Sequence, residues 1–287
     1  MAYFWADIGN ALFFLMSFIL PLLMGTDTDD SSDDLTADVV NDDVFGTEGA
    51  DDLFAETPDL TTFLLAGDDS FNGSTGADTV FGGEGRDVVL LRAGDDVGYG
   101  DDGNDRIDGG FGNDLIYGGE GDDILNGAAE DDVVYGDAGN DMITGSGGSD
   151  ALFGGEGDDV LHGSVLGSTS ASDGADALEG GPGEDTLYLS GGDSGTGGED
   201  ADHFIVEETI EAGETATVTD FDPAEDSITL RHSAQTDPMT GSDISPVLTS
   251  QNYSDGTGST ILSDGVAILN IDGQSDFDPS AITLEPV

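Results

Sequence analysis

The chain is 287 residues long, and 63 acidic residues against four arginines and no lysine give it a formal charge of −59. A surface with no basic patch cannot meet phosphate groups, so this composition excludes nucleic acid as a partner and instead concentrates multivalent cations. Cysteine is absent, which excludes disulfides and thiolate metal sites.

The first segment in chain order is an uncharged, apolar run at residues 8–25, which follows three aromatic residues at positions 3–5. The run is just long enough to reach the lower limit for a transmembrane helix, and flanking aromatics are typical of a membrane interface. Residues 1–25 are therefore predicted to form an apolar helix that contacts a membrane through 8–25 as an N-terminal anchor. A buried capping helix is the alternative interpretation. An acidic linker, 26–36, follows.

From residue 37 to residue 205 the sequence repeats with a period of nine. Residues 82–90 read GGEGRDVVL, 118–126 read GGEGDDILN and 154–162 read GGEGDDVLH. All three fit the pattern G-G-x-G-x-D-x-U-x, where U is a large apolar residue. Of the seventeen nine-residue units, sixteen have aspartate at position six, and only Leu60 breaks the series. Random acidic sequence would not keep this phase, so the repeat organises the fold.

Some units depart from the pattern. One unit contains an eight-residue insertion at 165–172, and the unit at 189–196 is one residue short. The units at 55–63 and 127–135 keep the length but lose several of the repeated residue types. We expect irregular sites at 55–63, 127–135 and 189–196.

Each nonapeptide combines turn chemistry with strand chemistry. Its first six residues are rich in glycine and aspartate, which favour tight turns, and its last three form a short strand that sends one apolar side chain inward. Two nonapeptides make one coil, and stacked coils form two parallel sheets with the position-eight side chains between them. The predicted fold is therefore all-β, a parallel β-roll (β-solenoid) over residues 37–205.

The stacking also places the position-six aspartates of alternate units above one another along two edges of the roll. Neighbouring carboxylates about 4.8 Å apart repel by roughly 3 kcal/mol at an effective dielectric near 20. One buried apolar side chain per unit contributes roughly 1.5–3 kcal/mol, less than the cost of ordering nine residues at about 1–2 kcal/mol each. The metal-free roll is therefore not expected to fold. A calcium ion between the loops would reverse this balance, because calcium takes about six to eight oxygen ligands from carboxylates and carbonyls.

Residues 206–287 lack the nine-residue period. Alternating segments at 215–221 and 266–271 predict strands, and DFDPAEDSITL at 220–230 predicts a turn followed by a strand. A solenoid leaves an open sheet edge at its end, so we expect 206–287 to form a C-terminal β cap over the last coil.

The nonapeptides resemble the parallel β-roll of repeats-in-toxin (RTX) proteins, a family that includes C-terminal regions of secreted metalloproteases, lipases, pore-forming toxins and adhesins. The resemblance covers 37–205 and is carried by turns such as GGFGND at 109–114. It implies that several Ca²⁺ ions bind between successive coils, through the position-six carboxylates and nearby carbonyls, and that the protein is extracellular, either secreted or at the cell surface. The metal ligands that it implies are Asp51, Asp69, Asp78, Asp87, Asp96, Asp105, Asp114, Asp123, Asp132, Asp141, Asp150, Asp159, Asp176 and Asp185.

The predicted function is calcium binding by a roll that folds on calcium uptake and has a structural or adhesive role. No enzyme activity is expected, because zinc-protease, serine-hydrolase and P-loop motifs are missing. A calcium-dependent module that binds extracellular polysaccharide is the alternative, since aromatic residues recur at position nine and could stack on sugars. They are Phe81, Tyr99, Tyr117, Tyr135, Phe153 and Tyr188. A stabilising aromatic stack is the competing interpretation of these rings. A non-catalytic domain or remnant of a secreted hydrolase is a third reading of the chain.

Overall fold

The computed structural model describes residues 38–40, 43–55, 59–164, 174–207, 215–232, 235–236, 243–244, 246–263 and 266–286. They belong to one compact unit, Leu35–Val287. They form two long β-sheets and a small two-stranded sheet, and their one helical element is a 3-10 turn at Pro279–Ala281. No helix within these ranges has the length and apolar character needed to cross a membrane. The predicted helix at 1–25 and the linker at 26–36 lie outside the described residues.

The strands of the repeat region are β1 (Asp38–Val40), β2 (Asp43–Phe45), β3 (Asp52–Phe54), β4 (Thr61–Ala66), β5 (Ser70–Asn72), β6 (Thr79–Glu84), β7 (Val88–Ala93), β8 (Val97–Asp102), β9 (Arg106–Phe111), β10 (Leu115–Glu120), β11 (Ile124–Ala129), β12 (Val133–Ala138), β13 (Met142–Gly147), β14 (Ala151–Glu156), β15 (Val160–Ser164), β16 (Ala177–Pro182), β17 (Thr186–Leu189), β18 (Ser194–Glu199) and β19 (His203–Glu207). The strands that follow are β20 (Ala216–Val218), β21 (Ser227–His232), β22 (Gln235–Thr236), β23 (Asp243–Ile244), β24 (Leu248–Asn252), β25 (Gly258–Ser263), β26 (Val266–Asp272) and β27 (Thr283–Pro286).

Successive repeat strands alternate between the two long sheets. From β2 to β19 the even-numbered strands lie in sheet A, which has 14 strands, and the odd-numbered strands lie in sheet B, which has 11. Each strand pairs in parallel with the next strand of its own sheet, as when Ile116 pairs with Val134 and Leu125 with Ile143. Paired residues are thus two repeats apart, which confirms the predicted parallel β-roll.

Both changes in unit length are accommodated without a break in the stacking. Leu152 pairs with Leu178, eight positions beyond the regular spacing, because the eight-residue insertion lies between these two strands. Leu178 then pairs with Gly195, one position short of the regular spacing, since the unit at 189–196 is one residue short. The inserted residues lie outside the described ranges, but the strands on either side of them stay in phase.

The core is a double column of position-eight side chains between the sheets. Val89, Ile116 and Leu125 are each fully buried, and the other regular units contribute a Val, Ile, Leu or Phe at the same place. Burial of one such side chain stabilises the fold by roughly 1.5–3 kcal/mol. These positions follow directly from the period, because a strand residue at a fixed place in each coil always faces the same side.

Two irregular units exchange the positions of their small and large residues. In the unit at 91–99 glycine occupies position eight, and Leu91, at the usual glycine position one, is fully buried. A Cβ on Gly98 would lie 3.2 Å from Leu91 Cδ1, so the leucine fills the space that the glycine leaves. Leu189 and Gly195 make the same exchange, because a Cβ on Gly195 would lie 2.9 Å from Leu189 Cδ1. The core stays filled although the repeat pattern is broken there.

A ladder of seven stacked rings covers the outer face of sheet A. Neighbouring ring centroids are 4.7–5.1 Å apart and the ring planes differ by at most 10°. The ladder consists of Phe45, Phe63, Phe81, Tyr99, Tyr117, Tyr135 and Phe153. The rings stack on one another, as the stabilising interpretation of the sequence predicts.

The parallel stacking continues beyond residue 205. Strand β20 pairs in parallel with β18, and β21 pairs in parallel with β19. Sheet A then ends in the antiparallel strands β25 and β24, while sheet B ends in β27. Arg231 joins three strands of sheet B, with its guanidinium 2.9 Å from Glu285 and 3.8 Å from Glu207.

Candidate metal sites along the two loop edges

The structure places all fourteen predicted aspartates in the interior of the turns. Each of their side chains is 0–5% exposed, although carboxylates are seldom buried without a partner. Those that precede sheet A strands, such as Asp96 and Asp114, form one column, which we call the A-edge. Those that precede sheet B strands, such as Asp105 and Asp123, form the B-edge.

One oxygen of each carboxylate ties its coil to the coil before it. The N–H of Asp96 donates to Oδ1 of Asp114 at 2.9 Å, and the N–H of Asp105 donates to Oδ1 of Asp123 at 2.7 Å. The same bond recurs along both edges at distances up to 3.1 Å. Each aspartate is therefore a structural acceptor, and the column is a continuous ladder of hydrogen bonds.

The second oxygen, Oδ2, takes no part in this ladder. In Asp51 and Asp78 it accepts the N–H of Thr47 and of Ser74, respectively, within the same turn. It is buried and accepts no hydrogen bond from any described group in Asp69, Asp87, Asp96, Asp105, Asp114, Asp123, Asp132, Asp141, Asp159 and Asp185. A buried acceptor without a partner costs about 1–3 kcal/mol, and a charged one costs more. Ten such oxygens are costly to keep charged in one small fold, and a bound cation would offset that cost.

The position-one glycines let the backbone approach these oxygens closely, because glycine has no Cβ. A Cβ on Gly82 would lie 2.6 Å from Asp87 Oδ2 and 2.5 Å from the carbonyl oxygen of Gly100, which belongs to the next coil. Any side chain larger than hydrogen would therefore clash with a carboxylate oxygen and with a main-chain carbonyl oxygen. Both are hard oxygen donors of the kind that calcium prefers.

Burial raises the pKa of these carboxyl groups on both edges. Desolvation raises the pKa of Asp96, Asp105 and Asp123 to about 7 and that of Asp132 to about 8, although the hydrogen bond from the preceding coil lowers each of them. Neighbouring carboxylates add a smaller rise. Without a cation the ladder is therefore costly to ionise at neutral pH.

The comparison with known families agrees with this geometry. The RTX calcium-binding nonapeptide repeat matches the chain in four copies, at residues 65–97, 99–134, 126–161 and 170–202. The repeat region of this chain therefore contains RTX calcium-binding nonapeptide repeats. No curated protein matches the chain.

The donor set of the RTX turns fits calcium better than a transition metal. No group of three or more His, Asp or Glu side chains converges on one point within the described ranges, so side chains alone could not complete a site. Regular turns offer one carboxylate oxygen without a hydrogen-bond partner among the described residues, beside a main-chain carbonyl, as at Asp87 and Gly100. Oxygen-only sites with many carbonyls suit calcium, whereas zinc and copper favour nitrogen or sulfur ligands.

The RTX ladder extends further than the sequence reasoning assigned it. Asp193, in the shortened unit, is fully buried, and its Oδ1 accepts the N–H of Asp176 at 3.0 Å. Asp202 takes the next place on the B-edge, and Asp226 accepts the N–H of Asp202 at 3.0 Å. The signal for Asp226 was the stretch DSIT at 226–229, which repeats positions six to nine of a nonapeptide without its glycines.

Two of the units expected to be irregular place their aspartates regularly. Asp132, in the unit at 127–135, is 1% exposed and accepts the N–H of Asp114 at 2.8 Å. Asp193 keeps its place in the ladder in the unit at 189–196, but its Oδ2 accepts the N–H and the hydroxyl of Ser190 at 2.6 and 3.0 Å. At position six of 55–63, Leu60 replaces the carboxylate, but its N–H still donates to Asp78 Oδ1 at 2.9 Å. Stacking on regular neighbours therefore carries the ladder through degenerate units.

A second ladder at position five was missed altogether. Asn113 donates its N–H to Asp95 Oδ1 at 2.9 Å, Asp131 donates to Asn113 Oδ1 at 3.0 Å, and Ser149 donates to Asp131 Oδ1 at 2.9 Å. Here each side chain accepts from the following coil, whereas the position-six carboxylates accept from the preceding one. The recurrence of Asp or Asn at position five was the available signal. The two ladders tie each coil to both of its neighbours.

Proposed function

We propose that the position-six aspartates bind several calcium ions between successive coils and that the chain folds on calcium uptake. The observation that carries this proposal is the set of ten buried Oδ2 atoms without a hydrogen-bond partner among the described residues. The fourteen aspartates of the sequence prediction, from Asp51 to Asp185, are the proposed ligands, and the ladder geometry adds Asp202. Bound calcium would supply the positive charge that the buried carboxylates lack.

Each residue type has its own part in this proposal. The carboxylate holds its coil to the preceding one through Oδ1 and leaves Oδ2 for the ion. The position-one glycine lets the carboxylate and the carbonyl of the next coil lie close together, and that carbonyl supplies a further oxygen. Because each aspartate side chain contacts two adjacent coils in this way, ion binding and coil stacking are coupled. We therefore expect calcium binding and folding to be cooperative.

The experiment is a calcium titration of the full-length chain, followed by far-UV circular dichroism. In chelator at neutral pH we expect an unfolded spectrum, and with millimolar calcium a cooperative gain of β-structure. Magnesium at the same concentration is the control and should fail, because it demands tighter octahedral geometry and retains its water. A chain that is fully β in chelator at neutral pH would refute the proposal.

We propose a secreted or cell-surface protein with a structural or adhesive role, without enzyme activity. The RTX resemblance and the need for abundant calcium support this location. We further propose that 206–287 caps the roll, which the antiparallel strands β24 and β25 at the end of sheet A support. The boundaries 1–25, 26–36 and 37–205 remain proposals, and fractionation of cells for the full-length chain tests the membrane anchor at 8–25.

The polysaccharide alternative needs a different surface from the one that the sequence suggested. Tyr99, Tyr117 and Tyr135 stack on one another at 5.0 Å, so their ring faces are largely covered by their neighbours. Tyr188 lies on sheet B, where it stacks on His162 at 4.0 Å. The ladder is thus better suited to holding coils together than to binding sugars.

A further inference from the structure

The two loop edges carry different side chains on their outer rims. On the B-edge the position-three residues form an exposed acidic row, interrupted at Ala138, that consists of Glu84, Asp102, Glu120 and Glu156. On the A-edge the corresponding row carries no charge and consists of Thr75, Ala93, Phe111, Ala129 and Gly147. In a chain with a charge of −59, an uncharged row along one edge is an unusual surface.

A groove follows this uncharged row on the side of sheet B. It consists of two adjoining cavities of about 300 and 490 Å³, which share Ser74, Thr75 and Arg92. Phe54 lines the first cavity and Phe111 the second, and these rings are 64% and 67% exposed. The rings belong to strands β3 and β9, three strand spacings apart, or about 14 Å along the roll.

The polar groups in the groove are hydroxyls, an amide and one guanidinium. Arg92 donates from Nε to the side-chain oxygen of Asn72, which fixes the guanidinium between the two cavities. Within the described part of the chain Arg92 forms no ion pair, and no carboxylate lines either cavity. The Ser74 hydroxyl already donates to Asp78 Oδ2 at 3.2 Å. The terminal nitrogens of Arg92 and the hydroxyl of Thr75 can therefore donate to a ligand.

We propose that this groove binds a chain of uncharged polysaccharide. Sugar rings present apolar faces that stack on aromatic side chains and hydroxyls that accept from guanidinium and hydroxyl donors. A polyanion would be repelled by the acidic surface around the groove, and a cationic ligand would be drawn to the acidic B-edge. A neutral, hydroxyl-rich chain avoids both effects and matches the elongated shape of the groove.

The test is affinity electrophoresis of the full-length chain in calcium, in native gels that contain xyloglucan, mixed-linkage β-glucan, mannan or, as the acidic comparison, hyaluronate. We expect a neutral polysaccharide to retard the protein. In the variant Phe54→Ala/Phe111→Ala the dissociation constant should rise about tenfold or more, because two stacking rings are lost. Arg92→Gln should weaken binding on its own, while Met142→Ala, an exposed apolar residue outside the groove, should leave it unchanged.

The proposal rests on the calcium-folded roll, so the same samples are titrated with calcium by circular dichroism. If the groove variants lose retardation but fold at the same calcium concentration as the parent chain, polysaccharide binding by the groove is separate from calcium binding. Absence of retardation by all three neutral polysaccharides, or retardation by hyaluronate alone, would overturn the proposal. So would a concentration-dependent dimer that the double variant abolishes, because a second copy of the chain would then be the occupant.

Discussion

The A-edge and the B-edge are alike inside and different outside. In both, a buried aspartate accepts the N–H of the preceding coil and keeps a second oxygen beside a glycine, as Asp114 and Asp123 do. Their rims diverge, with an acidic row on the B-edge and an uncharged groove on the A-edge. Coil stacking therefore constrains which residues can occupy the inward-facing positions of the repeat. The residues at positions two and three can vary between the edges and can contact a partner.

The largest expected effect is that of pH on folding in chelator, because protonation acts on the carboxyl groups of both edges at once. In chelator the folded-state pKa of Asp96, Asp105 and Asp123 is about 7, above the ordinary 3.8. A raised pKa means that the carboxyl favours folding when protonated, so this contribution is complete below about pH 4 and is lost as the pH rises through 7. We expect metal-free chain to gain β-structure by circular dichroism between about pH 8 and pH 5. Loss of structure on acidification in chelator would contradict this.

The next test asks whether the two edges contribute equally. Asp114→Ala on the A-edge and Asp123→Ala on the B-edge each leave one main-chain N–H without its acceptor, which costs about 1–3 kcal/mol before the lost calcium ligand is counted. Both variants should need more calcium to fold, by similar factors, in a calcium titration. Glu120→Ala, on the exposed rim, is the control and should titrate like the parent chain. A response at one edge only would show that the two columns are not equivalent.

A smaller effect on stability is expected when a methyl group is added at a position-one glycine. In Gly118→Ala the new Cβ would lie 2.7 Å from the Gly136 carbonyl oxygen and against Asp123 Oδ2, so we expect a loss of about 1–3 kcal/mol in urea unfolding with calcium present. Gly49→Ala is the matched control, because a Cβ there meets nothing within 4 Å. Equal stability of the two variants would mean that the fold does not depend on a glycine without a Cβ beside the aspartate.

The smallest effect concerns the ring ladder of sheet A, which sheet B lacks. Tyr117→Leu keeps an apolar side chain but removes two stacking contacts at 5.0 Å, and should cost about 1 kcal/mol in urea unfolding. Thr144→Ala, at the same repeat position on sheet B, should change stability by less than about 0.5 kcal/mol. Similar losses at both positions would argue that the stacked rings add nothing beyond their burial.

Much of the roll could be predicted because its unit is short and local. The phase of the aspartates, the position-eight core and the alternation of sheets follow from a nine-residue period with two turns per coil. The exchange between Leu91 and Gly98 could not be foreseen, since the space beside Gly98 becomes visible only when the coil is closed. The role of Asp226 was hidden for the same reason, because its partner, Asp202, belongs to the preceding coil and is distant in the sequence.

The sequence by itself determined the period, the inward-facing residues and the excess of acid that calls for a cation, since these depend only on residue type and spacing. The tertiary structure alone decided which carboxylate oxygen is bonded and which is left over, and which edge carries a groove. Those features arise between coils, where atoms from separate repeats come into contact, and no local pattern specifies the chemistry of such a contact.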